Sequence, residues 1–178
     1  ELFAEHGVEA TSMHQIAKEA GIGQGTLYRR YANKGDLCMA LMQENFNAFC
    51  SELEASLQEA ACKPVQERIK LVFRKMIAFI DKKSEWLFVM QTHVKIDNPK
   101  INPLGSPPYT YIYDMIHRLL VEAKEDGLAR NIDPVCVTHM LMGAMTPFTY
   151  MHLKHACGYS EEQVAKSFCT SILEPMLR

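Results

Sequence analysis

A chain of 178 residues, 48% of them hydrophobic, carries enough apolar material to bury the core of one or two domains. Its 19 Lys and Arg against 21 Asp and Glu give a formal net charge of -2, which excludes a global electrostatic case for nucleic acid and leaves any such contact to a local patch. No apolar run approaches the roughly 18 residues of a membrane span and no secretory leader pattern opens the chain, so the expectation is a cytoplasmic protein with no membrane partner.

Helical periodicity runs throughout and no stretch reads as a strand, which predicts an all-α fold. The expected helices cover 1–6, 12–20, 24–31, 34–60, 64–82, 84–96, 108–126, 133–155 and 160–176. The chain opens at Glu1-Leu2-Phe3 without an initiator methionine and already in a helical pattern, so a preceding segment is expected. In the second helix Met13, Ile16, Ala17 and Ala20 recur at helical spacing, and Ser12 with Gln15 has the spacing of a capping box. Asn33 is placed to cap the helix from 34, with Asp36 in its first turn where negative charge suits the dipole. Further on, Gly127 reads as a helix stop, Asp133-Pro134 as a cap followed by proline at the first helical position, and Ser160 with Gln163 as another cap. Four prolines make a helix untenable over "DNPKINPLGSPP", residues 97 to 108. The first three helices are short and the later ones long, which predicts an N-terminal domain over 1–33 and a larger one over 34–178.

The glycines of "GIGQGTLYRR", residues 21 to 30, raise the question of a phosphate cradle. A dinucleotide fingerprint would need glycine where Thr26 stands and a strand ahead of Gly21, where the sequence is helical. A Walker loop would need Lys followed by Ser or Thr, and neither follows at the required offset. Two short helices joined by Gly21-Ile22-Gly23 instead match a helix-turn-helix, with Gly21 free to take positive φ and Ile22 expected to plug the core between the helices. The second helix would turn Gln24, Thr26, Tyr28, Arg29 and Arg30 outward while Leu27 and Tyr31 pack inward. Between 11 and 36 the cations are Lys18, Arg29, Arg30 and Lys34 and the anions Glu19 and Asp36, a locally basic patch in an acidic chain. Arginine can pair bidentately with guanine, and Lys34 at a helix N-terminus suits a phosphate.

The run "ELFAEHGVEATSMHQIAKEAGIGQGTLYRRYANKGDL", 1 to 37, resembles the DNA-binding half of the TetR family of bacterial transcriptional regulators. The likeness rests on Leu2-Phe3, Gly7, Thr11, Ile16-Ala17, Ala20-Gly21, Gly25-Thr26-Leu27-Tyr28, Asn33-Lys34 and Leu37, with a fainter echo in "AKEDGLARNIDP" at 123 to 134. It implies an N-terminal three-helix DNA-binding domain and a larger C-terminal helical domain for ligand binding and dimerisation. The implied protein is a homodimeric repressor on a palindromic double-stranded operator, released by a small apolar or aromatic effector. By that resemblance Gln24, Gly25, Thr26, Tyr28 and Arg30 sit where the family touches the groove, with Arg29 beside them, and Thr11 and Lys34 match phosphate-facing positions. His14 takes an outward position on the supporting helix that some members use for DNA. Two departures stand out: Gly23 where serine is common, which removes a capping side chain, and Val8 where an aromatic is usual.

In the C-terminal part Val65, Ile69, Val72, Phe73, Met76 and Ile80 form one apolar stripe, and residues 86–96 are apolar nearly all round. From 108 on, Tyr109, Ile112, Tyr113, Ile116, Leu119, Leu120 and Ala123 should face inward, and Asp114, Arg118 and Glu122 outward. Trp86, Met90, His93, Tyr113, Met140 and Phe148 either line an effector pocket, with His93 as its polar anchor, or pack as plain core. Val137, Leu141, Ala144, Val164, Phe168 and Ile172 supply more apolar surface than a terminal helix pair needs, and a dimer interface would bury it. His139, His152, His155 and Cys157 lack zinc-site spacing and are read as surface histidines and a buried thiol, with no metal and no cofactor. The six cysteines form no C-x-x-C pair and read as small buried hydrophobes. The rival readings are a helical enzyme, for which no nucleophile, base and acid stand at recognisable spacing, and a DNA-binding dimer with no effector.

Overall fold

Helix boundaries fall where the sequence supplies capping groups. The computed structural model describes residues 2–7, 10–93, 103–129 and 131–177, and every regular element among them is helical. Helix α1 (Leu2–His6) leads to α2 (Met13–Glu19), α3 (Gln24–Arg30) and the long α4 (Lys34–Glu59). Then follow α5 (Val65–His93), a short turn of 3-10 helix (Pro103–Gly105), α6 (Pro107–Glu125), α7 (Pro134–Ala144), α8 (Pro147–His155) and α9 (Glu161–Phe168). A π-helical stretch, Cys169–Leu173, carries the last helix into α10 (Glu174–Met176).

The caps are those the sequence announces. Ser12 and Gln15, and again Ser160 and Gln163, form reciprocal capping boxes. The Asn33 side chain accepts from the Asp36 amide, and Asp133 accepts from Val135 and Cys136 ahead of Pro134 at the first helical position. Past α6, Gly127 takes φ 75°, while the Leu128 amide donates to the Ala123 carbonyl at 2.9 Å and the Gly127 amide to that of Lys124 at 3.0 Å. This closes a Schellman motif at a φ that glycine adopts without a Cβ penalty.

Two boundaries differ from expectation. The helices expected at 64–82 and 84–96 are one, α5, continuous to His93, because nothing in "DKKSEW" breaks the backbone; residues 94–96 lie outside the described residues. The helix expected over 133–155 is two, since Pro147 cannot donate to a helical carbonyl, and Thr146 starts α8 by accepting from the Thr149 amide.

Two apolar clusters form. The smaller gathers Phe3, Met13, Ala17, Leu27, Leu37 and Cys38, with Ile16, Tyr31 and Leu41 packed on it. The larger runs from Phe49 and Leu53 through the α5 stripe to Ile116 and Leu120 of α6, Leu141 of α7, Tyr150 of α8 and Phe168 and Leu173 of the last helix. Helix α4 contributes to both, its first turns to the small cluster and its later turns to the large one. As expected, Asp114 and Arg118 are exposed, whereas Glu122 is tied back across the helix pair by a bidentate contact with Arg68. The cysteines divide: Cys38 and Cys169 are buried, Cys50 is half-buried, and Cys62, Cys136 and Cys157 are exposed. The exposed three sit in the turn after α4, on the outer side of α7 and just past α8, where no second layer covers them.

One polar contact in the larger unit carries a pH signature. The fully buried Tyr150 donates its hydroxyl to Asp81 Oδ1 at 2.5 Å, and the Lys154 ammonium meets the same oxygen. Burial pushes the Asp81 carboxyl up, but the hydrogen bonds from Lys154 and Tyr150 outweigh it and hold the acid below its ordinary 3.8. A depressed folded-state value gives stability that is full above the ordinary value and lost as pH falls through the folded one. The contact is partly solvated, so Asp81→Asn is expected to lose about 1 kcal/mol near neutral pH. Thermal melts of both proteins from about pH 7 to pH 3 should show that gap narrowing at the acid end; a gap independent of pH would assign the loss to something other than the charge.

Candidate nucleic-acid interface

The turn between α2 and α3 is built by backbone geometry. Gly21 sits at φ 65°, its amide donates to the Lys18 carbonyl at 3.2 Å, and the Ile22 amide donates to that of Ala17 at 3.0 Å. The chain thus leaves α2 sharply and enters α3 with Gly23 at the N-cap, where no side chain caps the helix, in line with the missing serine. Ile22 does not plug the core: it is 40% exposed, because the reversal at Gly21 carries it outward and Met13, Ala17 and Leu27 close the space between the helices.

Leu27 is the buried residue of α3. That single anchor turns Gln24, Gly25, Thr26, Tyr28, Arg29 and Arg30 to solvent together, with Tyr28 50% exposed. A Cβ at Gly25 would meet nothing within 4 Å, so the bare backbone there leaves room for something outside the chain. The two arginines differ. Arg29 folds back, its Nε donating to the Gly25 carbonyl at 3.2 Å and its Nη2 to Thr26 Oγ1 at 3.3 Å, whereas the Arg30 guanidinium lies 5.7 Å from the Tyr31 ring at the helix end. His14 is exposed on α2, where its Nδ1 meets the side-chain amide of Gln24 across the two helices. Lys34 is the first residue of α4, half-buried in the first turn of a helix, where the dipole favours an anion.

Thr11 departs from its expected phosphate-facing role. It is 3% exposed and its hydroxyl donates to the Gly7 carbonyl at 2.7 Å, tying the end of α1 to the start of α2. Val8 lies outside the described residues.

Of the residues expected around an effector, the side chains of Tyr113, Met140 and Phe148 are described, and the last two face outward. The side chains of Trp86, Met90 and His93 lie outside the described residues. Tyr113 is half-buried in a ladder of near-parallel rings between Tyr109 and His117, with His139 of α7 against it at 4.7 Å. Met140 is 68% and Phe148 58% exposed, because α7 turns Thr138, Leu141 and Met145 inward and the break at Pro147 resets the face of α8. Of the residues expected at a subunit interface, Leu141, Val164 and Phe168 are buried in the chain's own core and Val137 packs against it, whereas Ala144 and Ile172 are exposed. The outward apolar side chains of the last helices are Val135, Met140, Ala144, Phe148 and Ile172.

His152 and His155 are exposed on α8, while His139 on α7 is held by Tyr109, 2.5 Å from hydroxyl to Nδ1. Among the described residues no group of three or more His, Cys, Asp or Glu is placed to hold a metal ion. No described helix is long and apolar enough to cross a membrane.

Comparison with known proteins agrees with this geometry. The profile of bacterial regulatory proteins of the tetR family matches residues 1–41. An HTH-type transcriptional regulator of Staphylococcus aureus (strain bovine RF122 / ET3-1) is 51% identical over 53 residues, 30% of this chain and 29% of the relative. The chain thus spans under a third of the length of the curated relatives it matches. Among solved structures, the transcriptional regulator FadR of Bacillus subtilis in complex with stearoyl-CoA aligns with TM-score 0.71 and 20% identity over 99% of this chain and 92% of that one. AibR in complex with isovaleryl coenzyme A and operator DNA aligns with TM-score 0.64 and 21% identity over 97% of this chain and 92% of that one. At such identities the likeness is one of fold: an N-terminal helix-turn-helix followed by a larger helical domain.

Proposed function

We propose that this chain, which belongs to the TetR family of bacterial regulators, is a cytoplasmic homodimeric repressor that leaves a palindromic operator when a small molecule binds its C-terminal helices. The observation that carries the reading is the outward face of α3, where Gln24, Gly25, Thr26, Tyr28 and Arg30 stand exposed around one buried anchor, Leu27. A helix so presented enters the major groove, its side chains reading base edges while Lys34 holds phosphate and His14 flanks the groove face. We take residues 1–33 as the DNA-binding unit, completed by Leu37 and Cys38 of α4, and the rest as the effector and dimer unit.

Two recognition helices at fixed separation read two half-sites, so operator binding calls for a dimer. Val135, Met140, Ala144, Phe148 and Ile172 supply an apolar face for a second copy. For the effector, an acyl-coenzyme A is the class to try first, since two proteins of this fold are described with stearoyl-CoA and isovaleryl coenzyme A. Such a ligand shifts the dimer only through its different affinity for the DNA-competent and DNA-released states.

The experiment is a titration of DNA upstream of the protein's own gene at several salt concentrations, with and without long-chain and short-chain acyl-coenzyme A. A saturable, sequence-preferring complex with a steep salt slope, weakened by one of the two ligands, supports the reading. Binding indifferent to sequence overturns it. Sequence-preferring binding that neither ligand changes overturns the acyl-coenzyme A assignment alone.

A further inference from the structure

We propose that Tyr111 is the positioning residue of α4, its hydroxyl closing a latch that sets the angle at which this helix carries the DNA-binding unit. The tyrosine stands on α6, and α4 offers it one residue per turn: Phe46, Cys50 and Glu54, a stripe at i, i+4 and i+8. The Phe46 ring meets the Tyr111 ring edge-on at 6.1 Å. The hydroxyl donates to Glu54 Oε1 at 2.6 Å and reaches the Cys50 carbonyl at 3.4 Å. Burial, and then the bond to Glu54, push the tyrosine's pKa well up, so its proton stays on the oxygen and donates.

The grip falls on a helix that belongs to two cores. Leu37 and Cys38 of α4 lie in the small cluster with α2 and α3, whereas Phe49 and Leu53 lie in the large one. A helix of this length spans about 39 Å, so a tilt of about 5° at one end carries the other roughly 3 Å. Tyr111 holds the end that lies in the large core, and the recognition helix rides on the other.

The same ring also faces outward. Tyr111 shares the wall of an open groove of about 440 Å³ with Asp114, Met115, His117 and Arg118. A molecule settling there touches the side chain that holds α4, and a partner that draws the hydroxyl from Glu54 releases the helix. The groove and the lever therefore meet at one side chain. The consequence at DNA rests on the regulator reading, whereas the latch itself does not.

The test uses the full chain and three variants, Tyr111→Phe, Glu54→Leu and Glu54→Gln. Glutamine keeps an oxygen that accepts the tyrosine proton, leucine does not, and Glu54 is exposed, so all three should fold. Amide hydrogen exchange over residues 44–59 is expected to speed up about threefold or more in Tyr111→Phe and Glu54→Leu and to stay near wild type in Glu54→Gln. From a random DNA library, wild type should select paired half-sites at one spacing, and the two latch-less variants a wider range of spacings. Unchanged exchange in Tyr111→Phe overturns the latch, as does a Glu54→Gln variant as loose as Glu54→Leu. A wild-type protein that selects no paired half-sites sinks the regulator reading instead, and the exchange data still decide the latch.

Discussion

Arg30→Ala is expected to weaken binding to a specific DNA site by about 1–3 kcal/mol, roughly 5-fold to 150-fold, while leaving the melting temperature nearly unchanged. The stability half of that expectation follows from exposure: Arg30 lies at the open end of α3 and takes no place in the small core. The affinity half follows from what its neighbour does. Arg29 already spends donors on the Gly25 carbonyl and on Thr26, whereas the Arg30 guanidinium lies over the Tyr31 ring, 5.7 Å from its centroid, at the end of the exposed face. A bidentate contact to guanine would then fall to Arg30, and its removal would relax sequence preference at one position of each half-site. Binding isotherms for the preferred site and for a variant of it, at two salt concentrations, measure this. A uniform loss on every sequence, with the salt slope reduced by about one, would make Arg30 a phosphate contact and place base reading elsewhere on α3.

The largest loss of stability is expected at Phe73. Its side chain is fully buried, and its ring lies 4.8 Å from that of Phe168, joining α5 to the last long helix. Phe73→Ala removes a large apolar side chain and leaves a cavity between two helices held by other contacts, at a cost of about 3–5 kcal/mol. For a chain of this size each kcal/mol moves the melting temperature by roughly 2–4 °C, so a drop on the order of 10 °C is expected. Urea unfolding should show a lower midpoint with an unchanged slope. A loss below about 1 kcal/mol would mean that α5 and the last helix do not pack as described.

Much of the N-terminal unit was legible in the sequence because its signals are local. A serine three residues before a glutamine, a glycine that must take positive φ and an apolar residue every three or four positions each act within one or two turns of chain. Ser12 with Gln15, Gly21, and Met13 with Ala17 all behave accordingly. Leu27 and Tyr31 as the inward residues of this segment follow from the same spacing, Leu27 being buried and Tyr31 packed on the small core. Ile22 shows the limit, since periodicity marks it apolar but does not say which way a backbone reversal will swing it. Thr11 shows another: the same threonine can face a phosphate or close on the Gly7 carbonyl, and three-dimensional placement decides between them.

In the C-terminal part the apolar stripe of α5 was readable for the same reason, and all six of its expected positions are buried. Which apolar residues of the last helices stay inside was not. Leu141, Val164 and Phe168 carry the same hydrophobic signature as Met140, Phe148 and Ile172, yet the first three fill the core and the others face out. Met140 falls outside the inward face of α7 that carries Thr138 and Leu141, and for Phe148 and Ile172 the break at Pro147 and the π-helical turn at 169–173 each rotate the face that follows.

By itself, then, the sequence determined the all-helical class, most helix ends, the small N-terminal core and the outward set on α3, because periodicity and capping are short-range physics. Only the tertiary structure decided that Tyr111 meets Glu54, that Asp81 meets Tyr150 and Lys154, and that α4 belongs to both cores. Those contacts join residues 57, 69 and 73 positions apart, and no pattern along a chain marks a polar side chain for a partner so distant. Packing of whole helices brings them together.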